Sequence, residues 1–309
     1  MIHYDIYSNK RISLGTVIRM AFFILCSSFF ISCGDDPHEN EHGLAIALGW
    51  QDEADKGTNI DDLRLWIYKE NGEFVDEYRY DNARDIASRL YELPAGDYVL
   101  LAAANLVEPF TVEEGIGNGV KPYEGLMFTL SDAAASPAHA YYGVTEVSVQ
   151  GDGVEQTSIS LRRVLAELDV TIEGVHDGTR LAVSVTDAAT ALLPACKDAD
   201  GEYGVTTNRT ETVTLPEAMA ADGTLNTVTM HLMPTAMDND RSHLHFLLTL
   251  ADGTVQEFDA DAPVMKPSGK YQVTLQYTDM KPYMQLHPVS INDWTEGWTI
   301  SGEILNPDK

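Results

Sequence analysis

Val164-Leu-Ala-Glu-Leu-Asp-Val-Thr-Ile-Glu173 places Val164, Ala166, Leu168, Val170 and Ile172 on one side of an extended chain. Glu167, Asp169, Thr171 and Glu173 fall on the other side. A period of two with one apolar face marks a strand whose sheet has one side in water. The same pattern recurs outward from this stretch. It appears at Leu63, Leu65 and Ile67; at Leu181, Val183 and Val185; and at Val228, Met230 and Leu232. It appears again at Leu244, Phe246, Leu248 and Leu250, and at Tyr271, Val273, Leu275 and Tyr277. Between such runs stand Asn71-Gly72, Asp177-Gly178, Asp222-Gly223 and Asp252-Gly253. These pairs suit type I′ hairpin turns, whose two central residues both need positive φ. Only Asp81–Arg89 and Pro216–Ala221 suggest short helices. The fold class expected is all-β, built as antiparallel β-sandwiches.

A short echo points to two sandwiches in tandem. Pro94-Ala-Gly96-Asp-Tyr98 and Pro267-Ser-Gly269-Lys-Tyr271 share a Pro-x-Gly-x-Tyr pattern, each just ahead of an apolar run. Proline and glycine shape the turn and tyrosine opens the strand. The boundary is expected near Arg162-Arg163, where Thr157–Leu161 runs straight into the next strand. That gives domains of 44–163 and 164–309.

The first 33 residues have another character. Lys10, Arg11 and Arg19 precede the apolar run Met20–Ile31. A spanning helix needs about 20 apolar residues, so the run fits the core of a secretory signal instead. Phe30-Ile31-Ser32-Cys33-Gly34 resembles a lipobox, with Phe30 where leucine is preferred. Residues 1–32 are thus expected to be a lipoprotein signal peptide, and Cys33 the site of lipid (palmitate-type) attachment. Residues 33–43, with Asp35 and Asp36 next to the cysteine, read as an acidic tether.

After Ser32 the chain carries 17 basic and 47 acidic residues, a formal charge of −30. Such a surface disfavours nucleic acid and anionic lipid as partners. Cys33 and Cys196 are the only cysteines beyond the signal. With Cys33 lipidated, no internal disulfide is expected, and the fold must rest on its core.

These features together resemble a known family. The lipobox, the early strand Leu44–Trp50, Leu93-Pro-Ala-Gly-Asp-Tyr-Val-Leu-Leu-Ala-Ala-Ala-Asn105 and Ile159-Ser-Leu-Arg-Arg-Val-Leu-Ala-Glu-Leu-Asp-Val170 are similar to the fimbrillin superfamily of type V pili. So are Pro267–Tyr271 and Ile291-Asn-Asp-Trp294 near the end. Within it the chain looks most like the FimB-type anchor group. The resemblance implies two transthyretin-like β-sandwich domains and a lipid-anchored subunit at the outer membrane. Such a subunit fixes a pilus and limits its length. It also implies a fimbrial shaft subunit as partner, joined by strand addition. Shaft precursors of this family are cut by an arginine-specific protease after their first strand. Here no Arg or Lys lies between Cys33 and Lys56, and Arg64 falls in the next strand, which favours an anchor. Trp298, Ile300 and Ile304 recur at even spacing near the C-terminus, so this segment is a candidate donor strand. An edge strand of the second domain's own sheet would show the same alternation.

No catalytic or cofactor constellation is expected. His243 and His245 share a strand face, but with no third ligand nearby they read as a solvated polar face rather than a metal site. Asp198-Ala-Asp200-Gly201-Glu202 reads as a turn, and Cys196 as a buried or idle thiol. Trp50, Trp66, Trp294 and Trp298 support the alternative, a surface adhesin or glycan-binding lipoprotein.

Overall fold

The computed structural model describes residues 42–114, 121–132, 136–277, 285–286 and 298–305, with Glu114 and the last two stretches given by backbone alone. Residues 1–32, Cys33 and the tether up to Glu41 lie outside the described residues. No helix among the described residues is long and apolar enough to cross a membrane.

Among the described residues the regular structure is almost entirely strand, as the alternation requires. The first sandwich uses β1 (Gly43–Trp50), β2 (Leu63–Lys69), β3 (Phe74–Tyr80), β4 (Leu90–Tyr91), β5 (Gly96–Ala104), β8 (Tyr141–Val149) and β9 (Val154–Arg163). They run in the order β3-β2-β5-β8-β9-β1-β4. Strands β8 and β9 pair only at Tyr141↔Arg163 and Tyr142↔Arg162. The seven-stranded path folds at that corner and encloses Leu44, Ile46, Leu63, Leu65, Ile67, Leu100 and Ile159.

The other face of β2 and β5 is buried too. Trp66, Tyr68, Val99, Leu101 and Ala103 pack with Phe128, Tyr142 and Leu192 in a second cluster. That cluster is covered by a four-stranded sheet, β13-β12-β7-β6. Its members are β6 (Phe110–Glu114), β7 (Leu126–Leu130), β12 (Ala191–Lys197) and β13 (Tyr203–Thr206). Strands from either side of Arg163 therefore share one sheet, joined at Ala191↔Thr129 and Leu192↔Phe128. Burial on both faces explains why β5 reads as an unbroken apolar run rather than an alternation.

The second sandwich faces two sheets across one core. One sheet holds β10 (Ala166–Glu173), β16 (Thr224–Asn226), β17 (Met230–Leu232), β20 (Lys270–Gln276), β21 (Gln285–Leu286) and β22 (Trp298–Leu305). The other holds β11 (Arg180–Ala189), β14 (Thr210–Thr214), β15 (Ala218–Met219), β18 (Ser242–Thr249) and β19 (Val255–Ala262). Leu168, Val170, Ile172 and Val273 meet Leu181, Val183, Phe246 and Leu248 between them. Val164 and Leu165 break the alternation of the stretch quoted first: both are buried in the shared cluster beneath β12 instead.

Several local expectations are refined. The sheets are mixed, because β1 lies parallel to β9 over Gly43↔Val154 to Trp50↔Leu161. Likewise β10 lies parallel to β20 over Glu167↔Lys270 to Glu173↔Gln276. Asn71-Gly72 and Asp252-Gly253 do join neighbouring strands, but only their glycines have positive φ. Asp222-Gly223 has positive φ at both residues, as a type I′ pair requires, yet it links β15 and β16 in opposite sheets. Asp177-Gly178 likewise carries the chain from β10 across to β11. Helix α1 (Ala83–Ala87) lies inside the expected 81–89, with Asn82 Oδ1 accepting from Arg84 N at 2.9 Å. Pro216–Ala221 is not a helix: Ala218 and Met219 pair with Leu181 and Arg180, so the edge of β11 takes their backbone groups. Val228 is 69% exposed, because its strand begins only at Met230.

Candidate functional site

The first strand follows the expected lipid site in sequence and is held on both sides. β1 lies between β9 and β4. Leu44 and Ile46 are buried in the first core. The chain enters this slot at Gly43, whose φ is +144°, and a Cβ there would come within 2.5 Å of the Tyr91 carbonyl oxygen. Only glycine fits such a backbone approach. The first arginine after Cys33 is Arg64, on β2, which is flanked by β3 and β5. Its side chain is largely buried, with Nε 3.7 Å from Asp62.

Where the two sandwiches adjoin, a polar cluster gathers from distant parts of the sequence. Asp55 follows β1 in a 3-10 turn, and Arg163 ends β9. Both side chains are almost fully buried. Arg163 donates from Nε to both Asp55 oxygens at 2.9 and 3.0 Å, and from Nη2 to Oδ1 at 2.7 Å. Its Nη1 reaches Glu167 Oε1 on β10 at 2.6 Å. Burial works against the Arg163 charge, but Asp55 and Glu167 outweigh it and raise its pKa. Ser268, in the turn before β20, accepts from the Arg163 backbone N at 2.8 Å.

Glu167 Oε1 also pairs with His139 Nε2 at 2.8 Å. The His139 ring lies 4.0 Å, centroid to centroid, from His231 on β17. His231 Nδ1 is 2.8 Å from the Pro137 carbonyl, and its backbone N donates to Ser136 Oγ at 2.9 Å. Burial, then the nearby His231 and Arg163, hold His139 down at about 4, against the opposing pull of Glu167. Sequence reading missed this cluster. His139 and His231 stand alone in sequence, and Glu167 reads as one more polar residue on a strand.

The residues singled out from sequence are scattered. Cys33 and Trp294 lie outside the described residues. Trp298, Ile300 and Ile304 are on β22, whose backbone runs parallel to β20 with Trp298 opposite Tyr271 and Ile300 opposite Val273. Ile304 stands opposite Leu286 of β21. Trp66 is 3% exposed, so it belongs to the core rather than to a sugar-binding surface. Trp50 packs edge-on against Tyr141 at 4.9 Å. His243 and His245 lie on the exposed side of β18, with Nδ1 atoms 2.5 Å from Asp187 and 2.7 Å from Asp259. Asp198 Oδ1 is taken by its own turn, accepting from the backbone N of Asp200 and Glu202 at 2.9 Å each. Cys196 is half-buried, with Sγ 3.3 Å from the Glu124 carbonyl, and burial raises its pKa.

A family profile described as fimbrillin-A associated anchor proteins Mfa1 and Mfa2 matches residues 38–300. Solved structures share the fold. A candidate cell adhesion protein from Bacteroides eggerthii is 15% identical, with 87% of this chain and 100% of that one covered and a TM-score of 0.52. A candidate adhesin from Bacteroides thetaiotaomicron is 17% identical, covering 71% and 80% with a TM-score of 0.51. The fimbrial anchor protein Mfa2 from Porphyromonas gingivalis is 13% identical, covering 71% and 81% with a TM-score of 0.50. No curated protein sequence matches the chain.

Proposed function

The chain belongs to the family of fimbrillin-A associated anchor proteins Mfa1 and Mfa2, and on that premise we propose that it fixes a fimbria to the outer membrane and limits its length. The work is non-enzymatic. Lipid on Cys33 holds the chain to the membrane, residues 33–43 are the tether, and 44–163 and 164–309 are the folded domains. Eleven extended residues reach roughly 35–40 Å, enough to lift the first sandwich clear of the headgroups.

The observation that carries this reading is β1. Subunits that grow by strand addition need an open slot, where unpaired backbone groups and empty pockets wait for a neighbour's strand. Here β1 occupies that place between β9 and β4 with an eight-residue ladder. No basic residue lies between Cys33 and Lys56 to release it. A retained first strand does two things at once. It keeps the lipid covalently joined to the fold, and it leaves no slot for a further donor, so growth stops at this subunit. The C-terminal strand β22, with Trp298, Ile300 and Ile304, is the candidate donor to the first shaft subunit.

The test compares cells carrying the wild-type chain with cells carrying Cys33→Ala. Fatty-acid label should be lost from the protein, and fimbriae should appear in the medium instead of on cells. Deleting the gene should add longer fibres to the shed fraction. N-terminal analysis of the surface protein should find the terminus at Cys33. Persistent label, cell-bound fimbriae of unchanged length, or a mature terminus beyond Trp50 would overturn the proposal.

A further inference from the structure

We propose that His139, Glu167 and His231 form a site for a divalent transition-metal ion of the zinc class, tying the segment before β8 to β10 and β17. One nitrogen of each imidazole and one Glu167 oxygen lie within 4.8 Å of one another. A cation with nitrogen and oxygen donors at roughly 2.0–2.1 Å draws such a set together with small side-chain shifts.

The hydrogen bonds already orient the donors. A carbonyl oxygen only accepts, so the 2.8 Å contact between His231 and Pro137 puts the proton on Nδ1. Its Nε2 then carries a free lone pair, the usual arrangement of a metal-binding histidine held by a backbone carbonyl. His139 turns Nε2 toward Glu167, 2.8 Å from Oε1, so an ion held by both takes the place of that hydrogen bond while Oε1 still accepts from Arg163. The His139 ring proton then sits on Nδ1, which is buried.

Charge favours the same occupant. The Arg163 guanidinium would repel a cation, but Asp55 binds it through both carboxylate oxygens and neutralises it. What remains is one carboxylate and two imidazoles, a set that suits zinc-class ions over calcium, which prefers oxygen ligands throughout. Three protein donors leave a fourth position for water. The ligands come from both sides of the Arg163 boundary, so the ion would act as a staple between the two sandwiches.

The experiment uses the full chain extracted in detergent. Co2+ titration should give the visible d–d bands of a low-coordinate nitrogen–oxygen site, displaced by one equivalent of Zn2+. Calorimetry should find one Zn2+ bound in preference to Ca2+, with a raised Tm that a chelator reverses. His139→Gln and His231→Gln should each weaken Zn2+ binding by about tenfold or more, whereas His243→Gln with His245→Gln should leave it unchanged. Circular dichroism confirms that each variant is folded, and the Co2+ bands are read on the wild-type chain alone. Missing bands, equal binding in the His231 variant, or loss of binding in the β18 variant would overturn the site.

Discussion

In each sandwich the opening strand lies parallel to a late one, β1 with β9 and β10 with β20. The neighbours on either side then differ. β1 is covered on its far side by β4, and β9 turns the corner into β8. β20 is instead covered by β22, which comes from late in the chain and carries the two-residue β21 on its far side. The first sandwich thus completes its ladder with strands from its own stretch of chain. The second completes its ladder with a tail. A strand supplied by a tail can be lent to a neighbour by strand addition, whereas β1 is built into the sandwich that follows it.

Either sandwich is damaged most if its opening strand is spoiled. Ile46→Asp in β1 and Leu168→Asp in β10 each place a carboxylate where the native side chain is at most 2% exposed. An unpaired buried carboxylate costs at least several kcal/mol. Each variant is expected to lose its cooperative melting transition. The wild-type chain should melt in one step by calorimetry, because the sheet β13-β12-β7-β6 takes two strands from each side of Arg163. Two resolved transitions, with each variant removing only one, would show instead that the sandwiches are energetically independent.

Next in size is the junction. Arg163→Ala strands Asp55, which is 3% exposed, without its cation. Breaking one partner of a buried pair costs about 3–5 kcal/mol. Replacing both, as Asp55→Leu with Arg163→Met, should recover most of that loss in chemical denaturation, since no buried charge then remains unpaired. A double variant as unstable as Arg163→Ala would mean that the Arg163 bond to Glu167, rather than the buried pair, carries the junction.

What sequence could tell about these regions follows from what the residues face. β10, β18 and β20 were legible because one side of each meets water, so apolar and polar residues alternate. β5 was legible as a strand but not as one with two buried faces. Its run of alanines contacts one core through Ala102 and Ala104 and another through Ala103. The pairing of β7 with β12 leaves no local trace, because β8, β9, β10 and β11 lie between the partners in sequence. Nor does the Pro-x-Gly-x-Tyr echo fix topology. Tyr98 Oη donates to Pro94 O at 2.7 Å, and Tyr271 Oη accepts from Lys266 N at 2.8 Å, so both close a local turn. Yet β5 has antiparallel neighbours and β20 parallel ones. At the junction, Asp55, His139, Glu167 and His231 are ordinary residues until the fold assembles them.

A smaller effect separates the regions at high pH. Burial raises the pKa of Tyr91, Tyr98, Tyr141 and Tyr142 in or beside the first sandwich, and the Tyr80 hydroxyl adds to the rise at Tyr91. In the second core Tyr271 is raised as well. A raised folded pKa gives stability that is fully present below the unfolded value, here 10.0. That stability is lost as pH climbs toward the folded pKa, because the unfolded chain releases the proton first. Stability should therefore fall above about pH 10. Tyr91→Phe should flatten that alkaline limb more than Tyr271→Phe does. Equal slopes in the two variants would remove the distinction.

The smallest loss of stability is expected from removing 298–309. β22 pairs with β20 over six residues, Tyr271↔Trp298 to Gln276↔Glu303, and with two residues of β21 on its far side, whereas β1 has an eight-residue ladder with β9. If Trp298, Ile300 and Ile304 are kept for a shaft subunit, the sandwich must hold together when they leave. The truncated chain should then lose no more than about 1–2 kcal/mol, a shift of a few degrees in Tm for a chain of this size. The same truncation should abolish co-purification with the shaft subunit, while Ile46→Ala, which weakens the first core, should lower Tm and leave capture intact. Both readouts are needed. A truncated chain that melts as early as the Leu168→Asp variant makes β22 an integral strand of the second sandwich. One that melts normally and still captures the shaft subunit places the donor elsewhere. Only a stable chain that no longer captures leaves the tail strand as the donor.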